Sequence, residues 1–268
     1  MDEDVGRDDH MGSATTDGNG YFTVSGTASD VAFRKSKRRP DVYIRLDYRH
    51  SSARARFEVD RSVLRGGKED SHKFSDKSGN VNFGTLHFNT EMCTVYQRFY
   101  DATHDFYSRV GYRVPFDLKI TAQAIINGGA PFALHDEIRI PKGKKLSSRT
   151  AKHELAHAVR HRYDGGLAHF LKDVAQFVYT RNHNCKSNTN HGFAFNEGWA
   201  EYWAGDTACG DANGTKKVEG NVATALKEMQ TRCRTSDRNM WEVLRRNKGK
   251  IHSYSSYASK HRQMHNCS

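Results

Sequence analysis

The chain has 268 residues with 14 Phe, 12 Tyr and 3 Trp, enough for one large domain or a small domain joined to a larger one. No apolar run approaches the eighteen or so residues of a membrane span, so no membrane partner is expected. The formal net charge is +11, which favours an anionic partner for the basic surface.

That charge is unevenly placed. Residues 1–30 carry seven acids (Asp2, Glu3, Asp4, Asp8, Asp9, Asp17, Asp30) against Arg7, a net of −6, so the rest carries +17. The densest basic run is Arg34-Lys35-Ser36-Lys37-Arg38-Arg39, which reads first as a solvated loop between strands. Nucleic acid is a weak third reading, because charge is its only support and no helix-turn-helix, finger or RNA-recognition signature accompanies it. The acidic N-terminus lacks the basic start and apolar stretch of an export signal.

The first ninety residues read as strands and turns. Tyr21–Ser25 follows the turn Asp17-Gly18-Asn19-Gly20, a hairpin turn and not a calcium loop, since no closing acid follows. Val42, Ile44, Leu46 and Tyr48 alternate along one face of a strand, and Ala55–Val59 and Gly84–Phe88 are shorter strand candidates. Turns between them predict a β-sandwich. The run Thr16-Asp17-Gly18-Asn19-Gly20-Tyr21-Phe22-Thr23-Val24-Ser25-Gly26, then Pro40-Asp41-Val42-Tyr43-Ile44, resembles the transthyretin-like domains of extracellular animal proteins. The acidic opening, residues 2–9, is similar to the stretch after their first strand. That resemblance implies a sandwich over residues 1–90 without its first strand, a truncated N-terminus, and a secreted protein.

From Asn89 the pattern turns helical. Tyr96, Phe99, Tyr100, Phe106 and Tyr107 recur at three- and four-residue spacing, and Gly111 ends the helix. Strand-like runs Leu118–Ile126 and Ile138–Ile140 follow. The segment 134–140 is expected to be the edge strand of a substrate cleft, with Pro141 suiting its end. A domain boundary near residue 90 leaves 91–268 as a mainly helical domain with a small sheet, so the fold class is α+β.

The next helix is expected to begin at Ser147 or Ser148 and to end before Asp164-Gly165-Gly166. It contains His153-Glu154-Leu155-Ala156-His157. Residues four apart share a helix face, so His153 and His157 can present two imidazoles to one zinc ion, Zn2+. Glu154 can then take the proton from a water that zinc has made acidic, as general base. His161 lies two turns past His153 and cannot share that ion. A metzincin would need glycine in place of Arg160 and histidine in place of Tyr163. The better third ligand is Glu197 in Asn196-Glu197-Gly198-Trp199-Ala200-Glu201-Tyr202-Trp203, a helix that stops near Gly205. Glu201, four residues on, can orient a ligand imidazole. His169, Asp173 and His191 are the fallback ligands.

Together these two motifs resemble the gluzincins, the thermolysin-like proteases and related aminopeptidases. The resemblance implies a zinc metallopeptidase acting on a protein or peptide substrate, with His153, His157 and Glu197 as ligands and Glu154 as base. The aminopeptidases of that group carry a Gly-x-Met-Glu-Asn motif, whereas this chain reads Gly128-Gly129-Ala130-Pro131-Phe132-Ala133, with no acid. An endopeptidase is therefore favoured. Tyr254, with His252 second, is the candidate for transition-state stabilisation. The alternative is an extracellular binding module in which zinc is structural or the site is degenerate. Five cysteines include no CxxC pair; Cys185 and Cys209 are reasonable disulfide partners, and an odd count leaves one thiol over.

Overall fold

A computed structural model describes residues 1, 8–27, 39–62, 64–114, 117–125, 129–135, 137–179, 183–211 and 213–268. Most of the acidic opening, the basic run 34–38, Ile126 and Gly128 lie outside the described residues. The elements in chain order are β1 (Arg45–Asp47), β2 (Arg49–Ser51), β3 (Arg56–Asp60), β4 (Lys68–Asp70), α1 (Thr90–Val110), β5 (Leu118–Ala124), β6 (Phe132–Leu134) and β7 (Glu137–Pro141). Six helices complete the chain: α2 (Ser148–Tyr163), α3 (Gly166–Phe177), α4 (His191–Ala204), α5 (Glu219–Arg232), α6 (Asp237–Arg246) and α7 (Tyr254–His265). Among the described residues the fold is mixed α+β, with seven helices and two small sheets.

The chain divides into two units, 1–47 with 68–90, and 48–67 with 91–268. In the first, β1 and β4 pair antiparallel with Leu46 opposite Glu69. The Asp17 carboxylate accepts from the backbone N–H groups of Asn19 (2.8 Å) and Tyr21 (2.9 Å), which closes the expected turn from a side chain. Arg45 pairs with Asp70 at 2.6 Å and with Asp8 at 3.1 Å. The runs Tyr21–Ser25 and Gly84–Phe88, expected as strands, form none.

The second unit holds a five-stranded sheet of order β2-β3-β5-β7-β6. Strands β3, β5 and β7 are parallel, and β2 and β6 pair antiparallel at the two edges. This corrects two expectations. A single cut at residue 90 assigns β2 and β3 to the N-terminal domain, yet they pair into the same sheet as β5, with Val59 opposite Ile120. The run 134–140 is also not an edge: β7 is bonded to β5 on one side and β6 on the other, so the edge strand is β6. Burial explains the middle strands. Leu118, Ile120, Ile138 and Ile140 are fully buried, as strands of a covered parallel sheet must be.

Helix α1 turns Met92, Val95, Phe99, Phe106 and Val110 inward, and Gly111 (φ +76°) ends it. Only part of the expected aromatic face is buried, because Tyr96 and Tyr100 instead pack around His50 at ring distances of 6.3 and 5.1 Å. Trp199 of α4 lies at the centre of the helical core, 5.7 Å from Trp203 and 5.6 Å from Tyr257 of α7. Disulfides join Cys185 to Cys209 and Cys233 to Cys267, and Cys93 is a free, exposed thiol. Such bonds are compatible with an extracellular compartment. No helix among the described residues is long and apolar enough to cross a membrane.

Candidate metal centre

Helix α2 is built to bury polar groups. Ser147 caps it by accepting from the Thr150 N–H at 3.0 Å, so the chain enters the helix in fixed register. Its inward face carries Leu155, Ala156, Ala158 and Val159, but also Glu154, His157, Arg160 and His161. Burying so many polar side chains is costly unless they meet partners. The partners come from α4. Asn190 caps that helix by accepting from Gly192 and Phe193, and Gly205 (φ +85°) ends it in the left-handed region.

Glu197 of α4 points between the two histidines of α2. Its Oε2 lies 3.1 Å from His157 Nε2 and 3.3 Å from His153 Nε2, and the two Nε2 atoms are 3.1 Å apart. A tetrahedral ion with bonds of about 2.05 Å holds its donors about 3.3 Å apart, so the three atoms have the spacing of a metal ligand set. These groups could hold a metal ion. The electrostatics favour positive charge at the same point. Burial alone would lower the His153 pKa, but the Glu197 hydrogen bond and the charges of Glu154, Glu197 and Glu201 push it up to about 9. Burial likewise opposes ionisation of Glu197, and the histidines outweigh it, holding the carboxyl well below its usual range. His157 Nδ1 is buried without a hydrogen-bond partner.

Glu154 is only 5% exposed and is not one of the three donors. Its carboxylate accepts from the backbone of Ala133 in β6, and burial is the largest influence on it, raising its pKa against the pull of His153 and His157. Glu201 stands 3.6 Å from His153 Nδ1, an ion-pair separation and too long for a hydrogen bond. The Glu197 carboxylate is fixed from behind: Asn196 Nδ2 donates to Oε1 at 3.1 Å, and Arg160 donates to Asn196 Oδ1 at 2.6 Å. Gly198 lets α5 close onto this helix, since a Cβ there would sit 2.5 Å from the Glu219 carbonyl oxygen.

Other expected residues are elsewhere. His161 is buried against Phe170 (4.2 Å) and the His157 ring (5.9 Å) and belongs to no ligand set among the described residues. Tyr254 opens α7 with Lys216 over its ring at 5.4 Å, and the charges that act on it are Arg232 and Glu228, not those of the His153 centre. His252 bonds Asp173 at 2.8 Å. His191 is exposed at the start of α4.

Sequence reasoning passed over His183. Its Nε2 is 3.9 Å from Glu197 Oε2, and its Nδ1 is 2.8 Å from the carboxylate of Glu219. The only signal for it was a histidine two residues before a cysteine expected to be bridged. That bridge orders the segment, and the Gly220 N–H donates to the Cys185 carbonyl at 2.9 Å. Tyr179 is also passed over; burial raises its hydroxyl pKa, and Arg160 and Glu197 are among the charges that act on it. No protein-family model, no curated protein and no solved structure matches the chain.

Proposed function

We propose that the chain is a zinc-dependent peptidase, an endopeptidase rather than an aminopeptidase, with His153, His157 and Glu197 as zinc ligands. One observation carries the reading: three donor atoms from two helices lie 3.1, 3.1 and 3.3 Å apart, beside a buried carboxylate that is not a ligand. Two imidazoles and a carboxylate suit zinc, and a three-ligand set leaves a position for water or substrate. When bound, the ion supplies a Lewis acid that makes water nucleophilic near neutral pH.

The chain's own residues supply the rest. Glu154 takes the water's proton on its carboxylate and passes it to the leaving amine, a role that its raised pKa suits. The Ala133 backbone holds that carboxylate, which ties the base to the edge strand β6. A peptide added antiparallel to β6 would bind through backbone hydrogen bonds without a fixed sequence. His183, oriented by the buried Glu219, replaces Tyr254 as the side chain that donates to the developing oxyanion. The gluzincin-like arrangement is supported by the pairing of α2 with a glutamate-bearing α4 beside that edge. The transthyretin-like reading of the first unit rests on the Asp17 turn, and secretion on the two disulfides.

The test is hydrolysis of casein by the zinc-loaded chain. Cleavage is expected, with loss on addition of 1,10-phenanthroline and recovery with zinc. A folded chain that retains its zinc but cleaves neither casein nor other unfolded proteins would be a binding module with a structural metal.

A further inference from the structure

We propose a second divalent-metal site, made by His169 and Asp173 of α3 and His252 of the segment entering α7. It does not depend on the peptidase reading, since none of its residues belongs to the His153 centre. His252 Nδ1 is 2.8 Å and His169 Nε2 is 3.7 Å from the Asp173 carboxylate, one on each oxygen. The three donor atoms lie within 4.8 Å of one another. Those separations bracket the roughly 3.3 Å between donors around a tetrahedral zinc ion, so small side-chain rotations would complete the set. Two imidazoles and a carboxylate again select zinc or a neighbouring transition ion over calcium or magnesium.

Three features separate this cluster from an ordinary Asp–His hydrogen bond. First, the His169 side chain is 10% exposed, and its Nε2 is buried with no hydrogen-bond partner although it faces the carboxylate. A buried imidazole nitrogen without a partner is costly, and an ion would satisfy it. Second, Asp173 is the only buried residue of α3, while Leu167 and Leu171 of the same helix are exposed. Phe170 packs on His161 at 4.2 Å, and the buried Asp173 adds a polar anchor in the middle of the helix. Third, the helix enters through Gly165 (φ +99°), where a Cβ would lie 2.8 Å from the His169 Cβ, so the turn brings His169 close to its own backbone.

The charged neighbours permit the ion. Arg160 stands 4.0 Å from the Asp173 carboxylate, and Asp164, 3.7 Å from Arg160, offsets its charge. Bound metal would fasten α3 to the segment that leads into α7. Because Arg160 also donates to Asn196, which holds Glu197, a polar chain joins the two centres.

Metal content of the full chain tests the site, using zinc alone as the probe in equilibrium dialysis followed by elemental analysis. The wild-type chain should hold two zinc ions, and His252→Ala and His169→Gln should each hold one. His157→Gln should also lose one, and its combination with His169→Gln should hold none. Should His252→Ala fail to fold, His169→Gln carries the test, because His169 Nε2 makes no hydrogen bond that the fold would miss. The proposal is overturned if His169→Gln keeps the wild-type metal count, or if the wild type binds a single ion that His157→Gln removes. If instead His169→Gln loses an ion and His157→Gln does not, the second site stands and the His153 centre falls.

Discussion

Helices α2 and α6 each carry a glutamate with the same small solvent exposure, Glu154 deep in the protein and Glu242 close to its surface, and the two glutamates behave in opposite ways. Glu154 and Glu242 are both 5% exposed. Burial raises the pKa of Glu154, whereas Glu242 is held down at about 2 because Arg245 and Arg246 outweigh its burial. Glu154 meets a backbone N–H, two histidines and the like charge of Glu197, and no arginine is among the main influences on it. Glu154 lies deeper, so its charge costs more, and it lacks the arginine partners that offset that cost at Glu242; depth and partners act together. The arginine clamp holds Glu242 ionised, while the raised pKa of Glu154 makes its carboxylate the better proton acceptor.

The largest effect that could break this comparison is on turnover. Glu154→Gln should lower hydrolysis of casein by at least about 100-fold, the low end for loss of a general base, with zinc content unchanged. Glu242→Gln, equally shielded from solvent, should leave turnover within about twofold. If both variants turn over casein like the wild type, the assignment of Glu154 as base fails.

Next is the metal. Glu197→Ala should remove one zinc ion per chain, while His161→Ala, on the same buried face of α2 as His157 but outside the ligand set, should remove none. Elemental analysis of the two purified variants distinguishes ligand geometry from mere histidine density. Equal zinc content in both would place the third ligand elsewhere.

A smaller effect is expected at Gly198. An added Cβ would meet the Glu219 carbonyl at 2.5 Å and Val222 Cβ at 2.6 Å. Gly198→Ala should then destabilise the fold by about 1–3 kcal/mol in urea unfolding, the usual range for overpacking. A stability equal to wild type would show that α5 can retreat from α4 without loss.

What the sequence revealed follows the same division between local and distant partners. The ends of α2 were legible because Ser147 and Asp164 act within their own turns. So was the stop of α4 at Gly205, a matter of one residue's φ. The His153, His157, Glu197 set could be read because each half is a local spacing on one helix. The parallel pairing of β3 with β5 could not, since it joins residues about sixty apart across α1. For the same reason 134–140 looked like an edge: nothing in its alternation says that Phe132–Leu134 folds back to cover it. His183 and His252 gain their meaning from Glu219 and Asp173, carboxylates on other elements, which no local pattern could supply.

The finest test of the comparison is the pH dependence of stability, read by urea unfolding of the chelator-treated chain. Glu242 accepts from Arg245 at 2.9 Å through both carboxylate oxygens, and from Arg246 at 2.9 Å. Its folded pKa of about 2 lies below the ordinary value of 4.5. Between those values the unfolded chain binds the extra proton, so stability rises with pH there. The contribution of Glu242 is complete above pH 4.5 and disappears as the pH falls towards 2. Glu154 has the opposite sign. Its folded pKa lies above 4.5, so the folded chain holds the extra proton as pH rises past that value, and stability falls. Relative to wild type, Glu242→Gln should therefore be destabilised at pH 6 and converge with it near pH 2. Glu154→Gln should match wild type below pH 4 and gain on it as the pH rises towards neutral. Parallel pH profiles for the two variants would overturn the opposite signs assigned to the two carboxylates.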